Sequence, residues 1–326
     1  MNRIHWRRSP VTLMMAAVAA LGVAAAQDAA QKPAASPTDP VAAILASHKT
    51  ADDAYANVPM SPFTAVGVQY FTPGQALRLG VGPSGGVEFG ANPAAPDVLE
   101  FTLADGAFWV APVTGARPFI AKTGGDGDVS GLPGTAVAGK TRLAPREVVH
   151  IGRFFVEFYA RPDTGNARVF DPESPTRKAY TGLKWFPAAP WLQVKARYVA
   201  NPTATAVTIT TSRGLQKEYF RVGTFEFNID RAGQRLTVLA TVASPKAGDE
   251  LFVAFRDATT GQETYEVGRY LFIPFAGADG AYVLDFNKAT NPLCNYSPHY
   301  NCPIPPKENV LAVPIRAGEM KYPAHH

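Results

Sequence analysis

The chain reads as an all-β protein: two packed antiparallel β domains, an N-terminal sandwich and a C-terminal barrel-like meander, with one short N-terminal helix. Three observations predict this. Past Pro59 the helical period disappears, and short apolar or alternating runs recur at roughly 8 to 12 residue spacing. The breaks between them, GPSGG, ADG, KTGGDGD and PDTGN, consist of residues that tolerate positive φ. The 326 residues include 28 glycines and 29 prolines, more than one residue in six, against about one in eight in ordinary proteins. That excess excludes a coiled coil, and 46% hydrophobic with 11% aromatic residues excludes wholesale disorder.

Residues 1–26 read as a signal peptide. They have a basic start, an apolar run from Val11 to Val23 and then Ala24-Ala25-Ala26 ahead of Gln27. The run is too short to span a bilayer comfortably, so no stable membrane anchor is expected after cleavage, and the localisation expected is periplasmic or secreted. Residues 27–60 are expected to hold a flexible leader and an amphipathic helix. Asp39 is its N-cap and Pro40 its first residue, with Val41, Ile44, Leu45 and His48 at helical spacing to about Ala56. On that stripe His48 reads as a half-buried helix residue rather than a ligand.

Residues 61–176 form the expected sandwich-like domain, with strands at 65–71, 97–103, 107–113, 147–151 and 153–160. The glycine-rich stretch 124–134 lacks the Gly-Lys-Ser/Thr ending of a phosphate loop and reads as a surface loop. Prolines 172, 175, 187 and 190 mark a linker. Residues 177–323 form the second β domain, with eight runs: WLQVKARYVA, TAVTITT, TFEFNI, RLTVLATV, ELFVAFRD, ETYEVGRYLFI, AYVLDF and VLAVPI. Short turns between them predict an antiparallel meander that closes on itself.

The formal charge is +4, from 31 basic and 27 acidic residues. Arg3, Arg7 and Arg8 lie in the export segment, and without them the balance is nearly neutral. The case for a polyanionic partner goes with them, and no basic run interleaved with aromatics points to nucleic acid.

The most informative passage is LFVAFRDATTGQETYEVGRYLFIPF, 251–275. If Asp257 faces Glu263 across the ATTGQ turn, the two-residue period puts Leu251, Val253, Phe255 and Asp257 on one face. Glu263, Tyr265, Val267, Arg269 and Leu271 share it. An arginine on so apolar a face needs an anionic partner or a route to water. One register of AYVLDFN sets Asp285 opposite Arg269, and a one-residue slip sets Phe286 there instead. Asp257, Glu263, Tyr265, Arg269, Asp285, Asn287 and Asn291 are therefore candidates for one network. It is either a polar patch that anchors a small ligand inside a barrel or a buried Arg-Asp pair that sets strand register.

The second passage, 285–319, carries the two cysteines, Cys294 and Cys302. In an exported protein they most simply form a disulfide. A zinc site with His299 lacks a fourth ligand, and a thiol nucleophile with His299 as base lacks an orienting group. No metal and no cofactor is expected. Asn287, Asn291 and Asn309 read as caps of backbone groups in proline-rich turns. No G-x-S-x-G or H-E-x-x-H occurs.

RKAYTGLKWFP at 177–187, the passage 251–275, and DFNKATNPLCNYSPHYNCPIPPKENVLAVPIRAGE at 285–319 resemble the family called domain of unknown function 1684. The Asp-Phe-Asn, Asn-Pro-x-Cys, Cys-Pro-x-Pro-Pro and Ala-Gly-Glu motifs occur in order. The resemblance implies a mainly β protein with no established activity. The expected function is an exported small-ligand binding or scaffold protein of the cell envelope. A hydrolase using the carboxylates Asp257, Glu263 or Asp285 is the rival, and a purely structural envelope protein is the third reading.

Overall fold

The computed structural model describes residues 39–82, 86–122 and 134–323. The expected signal peptide, the leader to residue 38 and most of the glycine-rich stretch lie outside the described residues. Helix α1 spans Pro40–Asn57, and the Asp39 carboxylate accepts the Val41 N–H at 2.9 Å. Only Ile44, His48 and Tyr55 are buried. Val41 and Leu45 stay exposed, so the inward stripe is narrower than the spacing predicts.

The sandwich strands are β1 (Ala65–Phe71), β2 (Ala76–Val81), β3 (Val87–Gly90), β4 (Asp97–Ala104), β5 (Ala107–Thr114) and β6 (Phe119–Lys122). They continue as β7 (Thr135–Ala136), β8 (Thr141–Arg142), β9 (Glu147–Ile151), β10 (Phe154–Ala160) and β11 (Gly165–Phe170). They form two antiparallel sheets, ordered β1-β11-β10-β9-β6-β7 and β3-β2-β4-β5-β8. Strand β11 is one the sequence reading passes over, because Gly165 looks like part of a turn. A Cβ there would meet the Phe108 ring at 2.8 Å, so this glycine permits close packing between the sheets.

After α2 (Pro175–Lys178) the C-terminal strands are β12 (Gln193–Thr210), β13 (Gln216–Ile229), β14 (Ala232–Ala240), β15 (Glu250–Phe255), β16 (Arg269–Pro274) and β17 (Tyr282–Asp285). Two of the eight expected runs merge. WLQVKARYVA and TAVTITT become one long β12, interrupted by a bulge between Ala200 and Thr205. Pro202 sits in that bulge, where no ladder N–H is needed. VLAVPI at 310–315 forms no strand. Val310 makes a single bridge to Arg256, and the segment belongs to a strap, residues 286–322, folded over one end of the sheet.

The sheet order is β16-β15-β14-β13-β12-β17. Strands β12 to β16 follow one another as a meander, and β17 then pairs with β12 at the opposite edge. Only residues 275–281 connect β16 to β17, so the two edges lie near each other and the sheet is rolled into a nearly closed barrel.

Three apolar layers hold these parts together. Leu79, Phe101 and Val110 meet Val149, Val156 and Val169 between the sandwich sheets. Ala65, Val148 and Phe170 pack on the barrel's outer face at Leu239, Phe252 and Tyr270. The barrel interior contains Phe225, Leu236, Val253, Phe255, Leu271 and Leu284, closed by Leu311, Ile315 and Ala317 of the strap. Strand β15 alternates between the last two layers, so both of its faces are buried. That is why LFVAF is a continuous apolar run. Arg168, in β11, crosses from the sandwich to the strap: its Nε donates to the His299 carbonyl at 3.2 Å and its guanidinium lies over the Tyr300 ring.

Candidate functional site

Arg269 opens β16 and points into the barrel with Leu271 and Ile273. The observed register pairs Phe255 with Arg269. This is four residues from the register in which Asp257 faces Glu263, and a slip of even length leaves Leu251, Val253 and Phe255 on the same face as Arg269 and Leu271. The guanidinium is 1% exposed. One terminal nitrogen donates to Asp257 Oδ2 at 2.7 Å and to the Ile315 carbonyl at 2.7 Å. The other donates to the carbonyls of Ala317 at 2.5 Å and Glu319 at 3.4 Å. The rings of Phe255 and Phe186 flank it. Burial pulls its pKa down, and the adjacent Asp257 carboxylate opposes the shift.

Asp257 in turn accepts the Thr259 N–H at 2.7 Å and the Thr259 hydroxyl at 2.6 Å. Arg269 and Asp257 together tie the strap to the barrel rim. The carbonyls of Ile315, Ala317 and Glu319 thus face a guanidinium rather than a neighbouring strand.

The pairing of Arg269 with Asp285 is not what forms. Asp285 ends β17, which lies on β12 at the far edge of the sheet from β16. Its carboxylate accepts the Asn287 N–H at 3.1 Å, the Asn287 side-chain amide at 3.0 Å and Gln193 Nε2 at 3.0 Å. Asn287 exchanges two hydrogen bonds with the Ala189 backbone, at 2.8 and 2.9 Å. Its own carbonyl accepts from His48 Nε2 at 2.8 Å, and the His48 ring stacks on Trp185. Burial lowers the His48 pKa.

The other candidates separate. Glu263 forms an ion pair with Arg316 at the surface. Tyr265 directs its hydroxyl at Cys294. Asn291 donates its N–H to Glu319 Oε2 at 2.7 Å and its side-chain amide to the Met320 carbonyl at 2.8 Å. The seven residues thus divide among the Arg269 cluster, the turn after β17, the cysteine pair, the Glu319 carboxylate and the surface.

Glu319 is a buried group that sequence reasoning missed. Tyr296 donates its hydroxyl to Oε2, Oε1 has no partner, and burial pushes the carboxyl pKa up to about 7. The signal was present in Ala-Gly-Glu. Gly318 has φ +76°, and a Cβ there would meet the Ala289 carbonyl at 2.5 Å. Asn309, also wholly buried, bridges β14 and β15 where they diverge. It accepts the Thr237 N–H and donates to the Thr237 and Ala254 carbonyls, all within 2.9 Å.

The expected disulfide is absent: Cys294 and Cys302 are both free thiols. They are nonetheless neighbours, with the Cys294 N–H donating to Cys302 Sγ at 3.3 Å. The Tyr265 hydroxyl approaches Cys294 Sγ at 3.7 Å, and the Ser212 hydroxyl oxygen accepts the Cys302 N–H at 3.1 Å. Among the described residues no cluster of three or more His, Cys, Asp or Glu is placed to hold a metal ion.

The barrel's other end is open. A cavity of about 390 Å³ is bounded there by Tyr198, Asn201, Thr203, Ala204, Val222 and Phe275, among others. Phe275 and Arg269 lie at opposite ends of β16, about 20 Å apart at strand rise. Among the described residues no helix is long and apolar enough to cross a membrane.

Residues 178–320 match the family model described as protein of unknown function, DUF1684. An uncharacterized protein of Haloarcula marismortui, known from a solution NMR structure, is 32% identical. The match covers 48% of this chain and 85% of that one, with a TM-score of 0.39. No curated protein matches the sequence.

Proposed function

We propose, taking residues 178–320 as a domain of the DUF1684 family, that the chain is a small-ligand binding or scaffold protein of the cell envelope, whose barrel mouth takes a small, largely apolar molecule. One observation carries the reading: the cavity of about 390 Å³ at the open end. Its size is that of ordinary ligand sites. Tyr198, Val222 and Phe275 supply an apolar wall, while Asn201, Thr203 and Ser244 supply polar groups at the rim. The Arg269 face is sealed and its terminal N–H groups are taken by the protein, which argues for the mouth over the arginine as the place of binding. The hydrolase alternative is weakened by what its carboxylates already do: Asp257 neutralises Arg269, Asp285 caps a turn and Glu263 pairs with Arg316. Export rests on the sequence of residues 1–26 alone.

The test is a fluorescence titration of the full chain with N-phenyl-1-naphthylamine. Saturable binding is expected, weakened about tenfold or more by Ala204→Trp and by Ala243→Trp, which fill the mouth. Ala243 is exposed, so the second variant leaves the melting temperature within about 2 °C. Absence of saturable binding, or unchanged affinity in both variants, would overturn the ligand site and leave the scaffold reading. For export, mass spectrometry of the protein from cell fractions should find a chain that begins at Gln27 outside the cytoplasm.

A further inference from the structure

We infer that Cys294 and Cys302 form a peroxide-reactive dithiol, in which the Cys294 thiolate is the attacking group and Cys302 the resolving thiol. Cys294 lies in a single helical turn, Leu293–Asn295, and is partly exposed, whereas Cys302 is buried. Elements distant in sequence converge on the two cysteines. The Tyr265 hydroxyl, from the β15–β16 connection, approaches the Cys294 sulfur at 3.7 Å. The Cys294 N–H donates to Cys302 Sγ at 3.3 Å, which holds the second sulfur beside the first. The Ser212 hydroxyl oxygen, in the tip of the β12–β13 hairpin, accepts the Cys302 N–H at 3.1 Å. Lys217, half-buried, donates to the Asn301 carbonyl at 3.0 Å, close to Cys302 in the chain.

A hydroxyl donor aimed at the Cys294 sulfur favours a thiolate, and a thiolate with a second thiol beside it is the arrangement that redox-active cysteines need. The two sulfurs are pushed in opposite directions. Hydrogen bonding holds the Cys294 pKa down to about 7, and burial drives that of Cys302 well above the ordinary thiol range. Near neutral pH one member is therefore the nucleophile and the other keeps its proton for the second step.

The Cys294 thiolate attacks the terminal oxygen of a hydroperoxide. An S–O bond forms, the O–O bond breaks, and the alkoxide or hydroxide leaves and takes a proton from water. The Cys302 sulfur then attacks the sulfenic acid. The S–S bond forms, the S–O bond breaks, and hydroxide departs with the Cys302 proton as water. The peroxide is reduced by two electrons and the two thiols are oxidised by two; an external dithiol returns the pair to the reduced form observed.

The experiment uses the full reduced chain and tert-butyl hydroperoxide. Intact mass should fall by two hydrogens, and Cys302→Ser should instead accumulate a dimedone adduct at Cys294. Iodoacetamide at pH 7 should modify Cys294 at least tenfold faster than free cysteine, with Cys302 reacting only after denaturation. Tyr265→Phe, which leaves both cysteines in place, should move the midpoint of the rate-against-pH profile for Cys294 upward. A wild-type chain that stays reduced, a Cys294 no faster than free cysteine, or an unmoved midpoint would overturn the inference.

Discussion

Replacing Arg269 by methionine keeps most of the side-chain volume and removes the guanidinium. The Asp257 carboxylate is then left buried without its counter-ion, a loss that costs about 3–5 kcal/mol where one partner of a buried pair is removed. The carbonyls of Ile315 and Ala317, which accept at 2.7 and 2.5 Å, lose buried donors at about 1–3 kcal/mol each. These costs overlap because the strap can shift, so the expected loss is about 5 kcal/mol. That is a large part of the 5–15 kcal/mol that holds an ordinary domain together. Urea unfolding followed by circular dichroism at constant pH would show a midpoint shift of that size, with the barrel transition moving first. Adding Asp257→Asn to Arg269→Met removes the orphaned charge, so the double variant should be more stable than the single one. A loss below about 1 kcal/mol for Arg269→Met would refute the reasoning, because the guanidinium could not then be holding the strap.

Glu319 sets a pH dependence. In the folded chain its carboxyl holds a proton up to about pH 7, while in the unfolded chain it ionises near the ordinary value of 4.5. The native state binds the extra proton in that window, so stability falls as pH rises from about 4.5 to about 7, by about 3 kcal/mol, and is level beyond it. Glu319→Gln should remove that part of the slope in urea melts taken across the range. Asn309→Ala leaves the Thr237 and Ala254 groups between β14 and β15 without partners and should cost about 3 kcal/mol in thermal or urea unfolding. Gly318→Ala places a Cβ against the Ala289 carbonyl at a positive φ. It should destabilise the chain by about 2 kcal/mol, whereas alanine at exposed Gly74, with nothing within 4 Å, should cost less.

Much of the architecture was legible because its causes are local. Asp39 followed by Pro40 carries its own capping chemistry, and α1 starts there. AVGVQYF and EVVHI begin and end where their flanking turn residues place them. The strands misjudged are those where a turn-like residue serves packing. Pro202 lies inside β12 because a bulge spares its missing N–H, and Gly165 starts β11 because Phe108 leaves no room for a Cβ. VLAVPI alternates like a strand, yet long-range groups hold its backbone: Arg256, Ala258 and the Arg269 guanidinium.

The sequence by itself determined that the chain is mainly β, that its last part carries the DUF1684 motifs, and that Arg269 faces an apolar interior. Side-chain alternation is a property of each strand alone and survives any even slip in register. Which carboxylate meets Arg269 was decided by tertiary structure. Asp285 lies with exposed Val283 on the outward face of β17, and the backbone turn at residues 257–259 brings Asp257 beneath the guanidinium instead. The state of the two cysteines was likewise decided in three dimensions. Ser212 and Tyr265, 82 and 29 residues before Cys294 in the chain, come to the cysteines only when the hairpin tip and the strap pack together.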